Sequence, residues 1–241
     1  AGGGGASDLN GLTDCLVDTD SLYVGEVPSG LSGNPQNNTI LGIDAGTALT
    51  TGTDNTFIGH QAGDSYTTGI DAVIIGNKAG QATNGAQNVF IGNQAGENSS
   101  GSMHVAIGHR ASSSGGSLGV VIGREAGLSN TGDSGVIIGA AAGRNNSAHQ
   151  HTSIGYQAGY SQTSGTKNTN VGYKAGYSTT TGASNTTLGY NTLGYHNGNN
   201  NVAIGTDAMK GSAFFTGTGT DNVAIGYNAG SGSLPTAFSN S

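Results

Sequence analysis

The chain repeats one nonapeptide, whose last copy reads Asn222-Val223-Ala224-Ile225-Gly226-Tyr227-Asn228-Ala229-Gly230. The consensus is Asn-(Val/Thr)-x-(Ile/Leu/Val)-Gly-x-x-Ala-Gly, with positions numbered one to nine. Self-similarity at a short period is the signature of a stacked architecture. A degenerate copy starts at Ser21, and twelve full copies begin at Asn38, Asn55, Ala72, Asn88, His104, Gly119, Gly135, His151, Asn168, Asn185, Asn201 and Asn222.

Each unit has a fixed part and a free part. Position four is aliphatic and position five is Gly in all twelve full copies, and position eight is Ala in eleven. Copies follow each other at 15 to 17 residues, with one spacing of 21, and the variation falls after position nine. Length changes are tolerated where the backbone faces water. The pattern therefore indicates a coil with one exposed loop.

These features predict an all-β fold, a parallel β-solenoid (β-roll) of about 13 coils of 15–17 residues. Positions two and four share one face of a strand, and Ala at position eight fits a narrow interior. Asn at position one is suited to a side-chain amide ladder. We therefore expect a structural core of stacked isoleucines at position four: Ile58, Ile75, Ile91, Ile107, Ile122, Ile138, Ile154, Ile204 and Ile225.

A helical repeat and a disordered chain are both less consistent with the pattern. The helical repeat is disfavoured because Gly and Asn are poor helix formers. The 46 Gly residues and 9% charged residues are typical of disorder as well. The strict placement of Ile and Ala argues against disorder.

The repeat divides the chain into three parts. Residues 1–20 are predicted to be an N-terminal leader and cap, 21–230 the β-solenoid repeat domain, and 231–241 a C-terminal cap or linker. The chain begins with Ala1 rather than Met and has no signal peptide, so a processed or partial chain is expected. Cys15 is the single cysteine, which makes an intramolecular disulfide impossible.

Composition bears on partners and chemistry. Hydrophobic residues make up only 34% of the chain, so one thin coil buries little and self-association is expected. A parallel homotrimer is the favoured assembly, and an end-to-end filament is the rival. The net charge of −7 argues against nucleic-acid binding, and no apolar stretch is long enough for a membrane span. No catalytic motif is visible, so the chain is expected to be non-enzymatic and to use no cofactor.

Three sets of residues outside the core are candidate sites. Tyrosines recur at one coil spacing, so they are expected to form columns that either bind sugars or stabilise neighbouring coils by stacking; the second interpretation is favoured. An insertion in the longest unit carries two adjacent phenylalanines. Two histidines in the order His-x-His form a candidate metal site in a threefold fibre. The binding candidates are Tyr156, Tyr160, Tyr173, Tyr177, Tyr190, Phe214 and Phe215, and the metal candidates are His149 and His151.

The units at Asn201 and Asn222 resemble the head repeats of trimeric autotransporter adhesins, which carry a similar Val-Ala-Ile-Gly core. That resemblance covers residues 38–230 and implies a parallel β-roll with three chains to a head. The run from Ser21 to Gly30, followed by Asn-x-x-(Ile/Val)-Gly-x-x-Ala-Gly repeats, resembles fibre proteins of tailed bacteriophages. This second resemblance implies a virion fibre that is usually a trimer.

Together these features predict a structural fibre or adhesin-type protein located on a virion or on a cell surface. The expected function is that of a rigid oligomeric shaft in a phage tail fibre or related appendage, serving attachment to a host glycan or receptor. The alternative is a bacterial cell-surface adhesin or extracellular filament subunit of the autotransporter head type. Any partner contact is expected on the loop edge, chiefly within residues 156–218.

Overall fold

The computed structural model describes residues 15–18, 20–25, 27–114, 119–132, 135–211 and 218–231. These residues form short β-strands joined by turns and contain no helix. The chain divides into two compact units, Ala1–Arg110 and Ala111–Ser241. Both units are parallel β-solenoids, with about 11 turns in total.

The first unit begins with an antiparallel strand and continues with parallel ones. The first strand, β1 (Cys15–Asp18), lies antiparallel on β2 (Ser21–Gly25), with Cys15 opposite Val24, and each later strand pairs in parallel with the strand before it. Cys15 is buried and its thiol is free. Part of the predicted N-terminal cap is thus a strand along the edge of the sheet. The strands are β1 (Cys15–Asp18), β2 (Ser21–Gly25), β3 (Thr39–Gly42), β4 (Thr56–Ile58), β5 (Val73–Ile75), β6 (Val89–Ile91) and β7 (Val105–Ile107).

The second unit repeats the same coil without an antiparallel strand among its described residues. Successive strands pair in parallel and in register. The strands are β8 (Val120–Ile122), β9 (Val136–Ile138), β10 (Thr152–Ile154), β11 (Thr169–Val171), β12 (Thr186–Leu188), β13 (Val202–Ile204) and β14 (Val223–Ile225).

Hydrogen bonds between coils continue beyond the strands. The Gly59 N–H donates to the Leu41 carbonyl at 2.8 Å, and the Gln61 N–H donates to the Ile43 carbonyl at 3.0 Å. Within the coil, the Ala62 N–H donates to the Gly59 carbonyl at 3.2 Å and closes a turn. Corresponding positions therefore lie above one another from coil to coil. The predicted stacking of Ile58 on Ile75 and of Ile75 on Ile91 is confirmed.

The glycine at position five is required both by its backbone conformation and by the closeness of the next coil. Gly59 has a φ of +126°, in a region of backbone conformation that residues other than Gly rarely adopt. A Cβ on Gly59 would lie 2.7 Å from the carbonyl oxygen of Gly76. That oxygen belongs to the backbone, so no side-chain movement can make room.

The interior is formed by position three and not by position four. In β3 to β14 the position-three residue is buried and the residues on either side of it are half-buried or exposed. The prediction that Ala at position eight faces the interior is confirmed, for example by the fully buried Ala62 and Ala95.

The prediction that the isoleucines at position four form the core was therefore wrong, because the other face of each strand is the buried one. Positions two and four do share a face, but that face points outward. Ile225 is 65% exposed, and Ile107 is half-buried in a strand whose buried residue is Ala106. Alternation along a strand gives two faces and does not say which is inside. The isoleucines on the outward face are Ile58, Ile75, Ile91, Ile107, Ile122, Ile138, Ile154, Ile204 and Ile225.

The asparagines at position one form the expected ladder, largely by bonding to the backbone. The buried Asn38 donates from Nδ2 to the Gly52 carbonyl at 3.0 Å, and its Oδ1 accepts the Asn55 N–H at 3.1 Å. In the second unit Asn222 Nδ2 also donates to Asn201 Oδ1 at 3.0 Å. Each side chain thus satisfies backbone groups that would otherwise be buried without a partner.

Positions three and nine share the same interior space. A Cβ on Gly96, at position nine, would lie 2.7 Å from the ring of Phe90 at position three. In the second unit Leu193 and Met209 replace that glycine, and they pack with the position-three residues Ala203 and Ala224. A large residue at position nine is therefore accommodated where position three is small.

Because positions three and nine share one space, a larger residue at position nine is expected to compensate for a smaller residue at position three. Phe90→Ala is expected to cost about 3–5 kcal/mol of unfolding free energy by leaving a cavity. Gly96→Leu is expected to cost about 1–3 kcal/mol by overpacking against Phe90. The double variant should be more stable than the sum of the two losses by at least about 1 kcal/mol, because the leucine fills the cavity. Denaturant unfolding of the four proteins measures the coupling.

Gly92→Ala provides the matched control for that cycle. Its Cβ would meet the Gly108 carbonyl oxygen at 2.6 Å, which is a backbone contact that Phe90→Ala cannot relieve. Additive losses for Phe90→Ala and Gly96→Leu, as expected for the control pair, would contradict the shared interior.

Candidate functional site

Three tyrosines at position six form an exposed ladder in the second unit. The ring centroids of Tyr156 and Tyr173 are 5.2 Å apart, and those of Tyr173 and Tyr190 are 5.0 Å apart. Interplanar angles of 19° and 6° show that the rings stack. Each side chain is 41–48% exposed. The predicted column is confirmed, and it stabilises neighbouring coils while leaving aromatic surface open to solvent.

A second ladder follows position ten. Tyr160 and Tyr177 stack with centroids 5.1 Å apart. Arg144 extends the column, because its Nη1 donates to the Tyr160 hydroxyl at 3.2 Å and its Nε donates to Glu125 at 3.1 Å. The hydrogen bond to Tyr160 is the main reason that the pKa of Arg144 is raised, and Glu125 adds to the effect.

A lysine lies between the two ladders. The Nζ of Lys174 is 5.4 Å from the ring centroids of both Tyr173 and Tyr177. Such contacts are attractive because the face of an aromatic ring is electron-rich. Lys174 thereby links two of the predicted binding residues into one cluster.

A cleft opens where the position-ten column is interrupted. The column runs through Tyr160 and Tyr177, has no side chain at Gly194, and resumes at Lys210. A cavity of about 260 Å³ lies at this gap. Lys210 Nζ is 3.0 Å from Asp207 Oδ1. The residues lining the cavity are Lys174, Tyr177, Asn191, Gly194, Tyr195 and Lys210.

The sequence predicted only part of this cluster. Tyr177 lines the cleft, Tyr173 contacts Lys174, and Tyr156, Tyr160 and Tyr190 belong to the ladders. Phe214 and Phe215 lie outside the described residues. Five of the six lining residues were missed. Alignment of position ten across coils would have revealed the gap at Gly194, because glycine replaces a tyrosine there.

The two histidines of the metal hypothesis differ in their surroundings. His149 is exposed, whereas His151 occupies position one in the interior and is 3% exposed. A shared metal needs both rings on one accessible surface, which this arrangement does not provide. No group of three or more His, Cys, Asp or Glu side chains suited to a metal ion occurs among the residues that the structure describes.

Burial at position one also changes the acid–base behaviour of His151. Desolvation by burial is the main cause that lowers the pKa of His151 to about 4, and the neighbouring His149 adds to the lowering. The unfolded chain takes up this proton below pH about 6.5, and the folded chain does so only below about 4. The unfolded state therefore binds more protons between these values.

Stability is accordingly expected to be full above pH about 6.5 and to fall as the pH drops toward about 4. The loss from this group amounts to about 3 kcal/mol at most. His151→Asn introduces the residue found at position one of other coils and should reduce the loss. The difference in unfolding free energy between the two proteins, measured between pH about 7 and about 4, gives the effect of His151.

His109→Asn is the control for that comparison, because the imidazole of His109 is exposed and is not among the groups that shift the pKa of His151. An identical pH dependence for the wild type and His151→Asn would contradict the burial of a neutral imidazole.

The described part of the chain has no helix that is long and apolar enough to span a membrane. Comparison with protein-family models, with curated proteins and with solved structures found no match to the chain.

Proposed function

We propose that the protein is a structural fibre of the adhesin type, a rigid oligomeric β-solenoid shaft of a phage virion that serves host attachment. The observation that carries the proposal is the uncharged and largely aliphatic outward face of the strands, with Val or Thr at position two and Ile, Leu or Val at position four. The resemblance of the run from Ser21 to Gly30 and of the repeats that follow it to phage fibre proteins supports the placement on a tail fibre or related appendage.

The outward face is formed by positions two and four. In β6, Val89 and Ile91 are half-buried on this face, with Phe90 fully buried between them. Outward residues pair in register with the equivalent residues of neighbouring coils, as Ile75 does with Ile91, and they remain partly accessible. All twelve copies carry Thr or Val at position two and Ile, Leu or Val at position four. The face therefore offers any partner an uncharged surface for apolar contact.

A further copy of the same chain is the occupant that fits this face best. The side chains repeat once per coil, at about 4.8 Å. A partner that contacts many coils equally must repeat at the same distance, which a parallel copy does. Closed symmetric assemblies of identical chains are the commonest oligomers, and the resemblances imply three chains. The parallel homotrimer is thus part of the proposal.

Rigidity follows from the hydrogen bonds between coils. They include strand, turn and loop groups, such as the bond from Gly46 N–H to Ala62 carbonyl at 3.0 Å. A coil cannot tilt without breaking several of them at once. Such a body is suited to act as a shaft that holds a binding surface away from an anchor.

Two adjacent residues test the proposal because they point in opposite directions. Ile91→Asp places a charge on the outward face and is expected to dissociate the oligomer while the coil stays folded. Phe90→Asp places the charge in the interior and is expected to prevent folding, since an unpaired buried charge is strongly unfavourable. Native mass spectrometry reports the number of chains, and circular dichroism reports the fold.

A wild-type protein that is a stable monomer in native buffer would overturn the proposed assembly. An Ile91→Asp variant that remains a trimer would show that another surface holds the chains together. Ile91→Val is the conservative control and should leave the oligomer unchanged.

The alternative function is a bacterial cell-surface adhesin or filament subunit. The Val-Ala-Ile-Gly strands β13 and β14, which resemble autotransporter heads, favour it. Immunogold labelling with an antibody against the repeat domain separates the two, because it marks virions in one case and cell surfaces in the other.

A further inference from the structure

We propose that the cleft at Gly194 binds one acidic sugar unit, a pyranose ring that carries a carboxylate. This inference rests on the attachment part of the proposed function and deepens it by giving it a site and a ligand class. It depends on the second unit alone, and it is independent of how many chains assemble.

The shape of the cleft sets the size of the ligand. Gly194 stands where the two preceding coils carry Tyr160 and Tyr177 at position ten, so one side chain is missing from the column. The resulting volume of about 260 Å³ lies below the range of about 300–1,000 Å³ typical of drug-sized ligands. One sugar ring is therefore a better match than an oligosaccharide buried along its length.

The charge of the cleft favours an anion. The chain has only seven Lys and Arg residues and a net charge of −7, yet Lys174 and Lys210 both line this one cavity. Within the described part of the chain Lys174 forms no salt bridge, and its ammonium group lies over tyrosine rings. Lys210 is paired with Asp207 and remains 44% exposed. A carboxylate in the cleft would thus meet a cation that has no carboxylate partner.

The remaining lining groups are those that a sugar ring requires. Tyr160 covers one face of Tyr177, the next residue in the column, Gly194, adds no side chain on the other, and Lys174 Nζ is 5.4 Å from the centroid of the Tyr177 ring. The C–H groups of a pyranose carry slight positive charge and pack against the electron-rich face of such a ring. Asn191 offers an amide, and Tyr195 a hydroxyl, for hydrogen bonds to sugar hydroxyls. Among the residues that the structure describes, the lining contains no aliphatic side chain, which disfavours a lipid chain.

Ligand-observed NMR on the full chain tests the site, with methyl glucuronide as the acidic probe. Methyl glucoside is the neutral control, and sodium acetate is the control for a bare anion. The acidic sugar is expected to bind with a Kd on the order of 1 mM, as befits one small contact, and at least about tenfold more tightly than either control.

Two variants act on the cleft by different means. Gly194→Tyr restores the interrupted column and fills the cavity, so binding should be lost. Lys174→Gln removes the ammonium group and should weaken binding about tenfold. Glutamine already occupies this position, with the same left-handed backbone, at Gln61, Gln94 and Gln157. The substitution should therefore fold normally even if Gly194→Tyr shifts the melting temperature.

Lys78→Gln is the matched control, because Lys78 occupies position seven of its own coil but lines no such cleft among the described residues. It should bind the acidic sugar as the wild type does. Absence of binding, equal binding of methyl glucoside, displacement by acetate at the same concentration, or unchanged binding in both cleft variants would overturn the proposal. Native mass spectrometry of the same samples reports the number of chains, so a failure of sugar binding can be distinguished from a failure of the proposed trimer.

Discussion

Both units depend on one constraint: within a unit, each coil must lie in register on the next at the distance that backbone hydrogen bonds impose. The bond from Gln61 N–H to the Ile43 carbonyl repeats this contact at a turn, outside the strands. Equivalent positions of the nonapeptide therefore lie directly above one another in neighbouring coils of a unit. The constraint excludes a Cβ at position five, where Gly59 already approaches Gly76. It also allows the asparagine side chain at position one to form hydrogen bonds with the backbone of two coils, as Asn38 does.

Because the backbone supplies much of the cohesion, the interior can vary in character. In the first unit position three carries large apolar residues such as Phe57 and Phe90, whereas three coils of the second unit carry polar residues there, all buried: Ser153, Asn170 and Thr187. Thr187 Oγ1 donates to Asn170 Oδ1 at 3.0 Å, and this hydrogen bond replaces part of the hydrogen bonding to water that burial removes. The coil geometry is the same in both cases. Register is thus specified by glycine, alanine and asparagine, and the position-three residue only has to fill the space that is left.

The sequence was sufficient to predict the solenoid, one strand per copy and the tyrosine ladders, because these follow from spacing alone. It was misleading about the interior. The uniform isoleucine at position four suggested burial, but that uniformity suits a column of identical outward side chains, and interior residues vary because positions three and nine exchange volume. Phe90 opposite Gly96, and Ala203 beside Leu193, are two solutions to the same packing problem. The cleft could not be predicted from single residues, since it arises from a residue that lacks a side chain.

The origin of the cleft in a missing side chain explains how a regular stack of coils can carry a specific binding site. A column of identical residues presents the same surface at every coil and can distinguish ligands only weakly. A single departure from the column changes shape and chemistry at one place while the register of the frame is kept. Gly194 is such a departure, and the coils on either side supply Tyr177 and Lys210 at the same position. Specificity in this architecture is therefore determined by the differences between neighbouring coils, and the loop edge is where such differences leave the hydrogen-bonded frame intact.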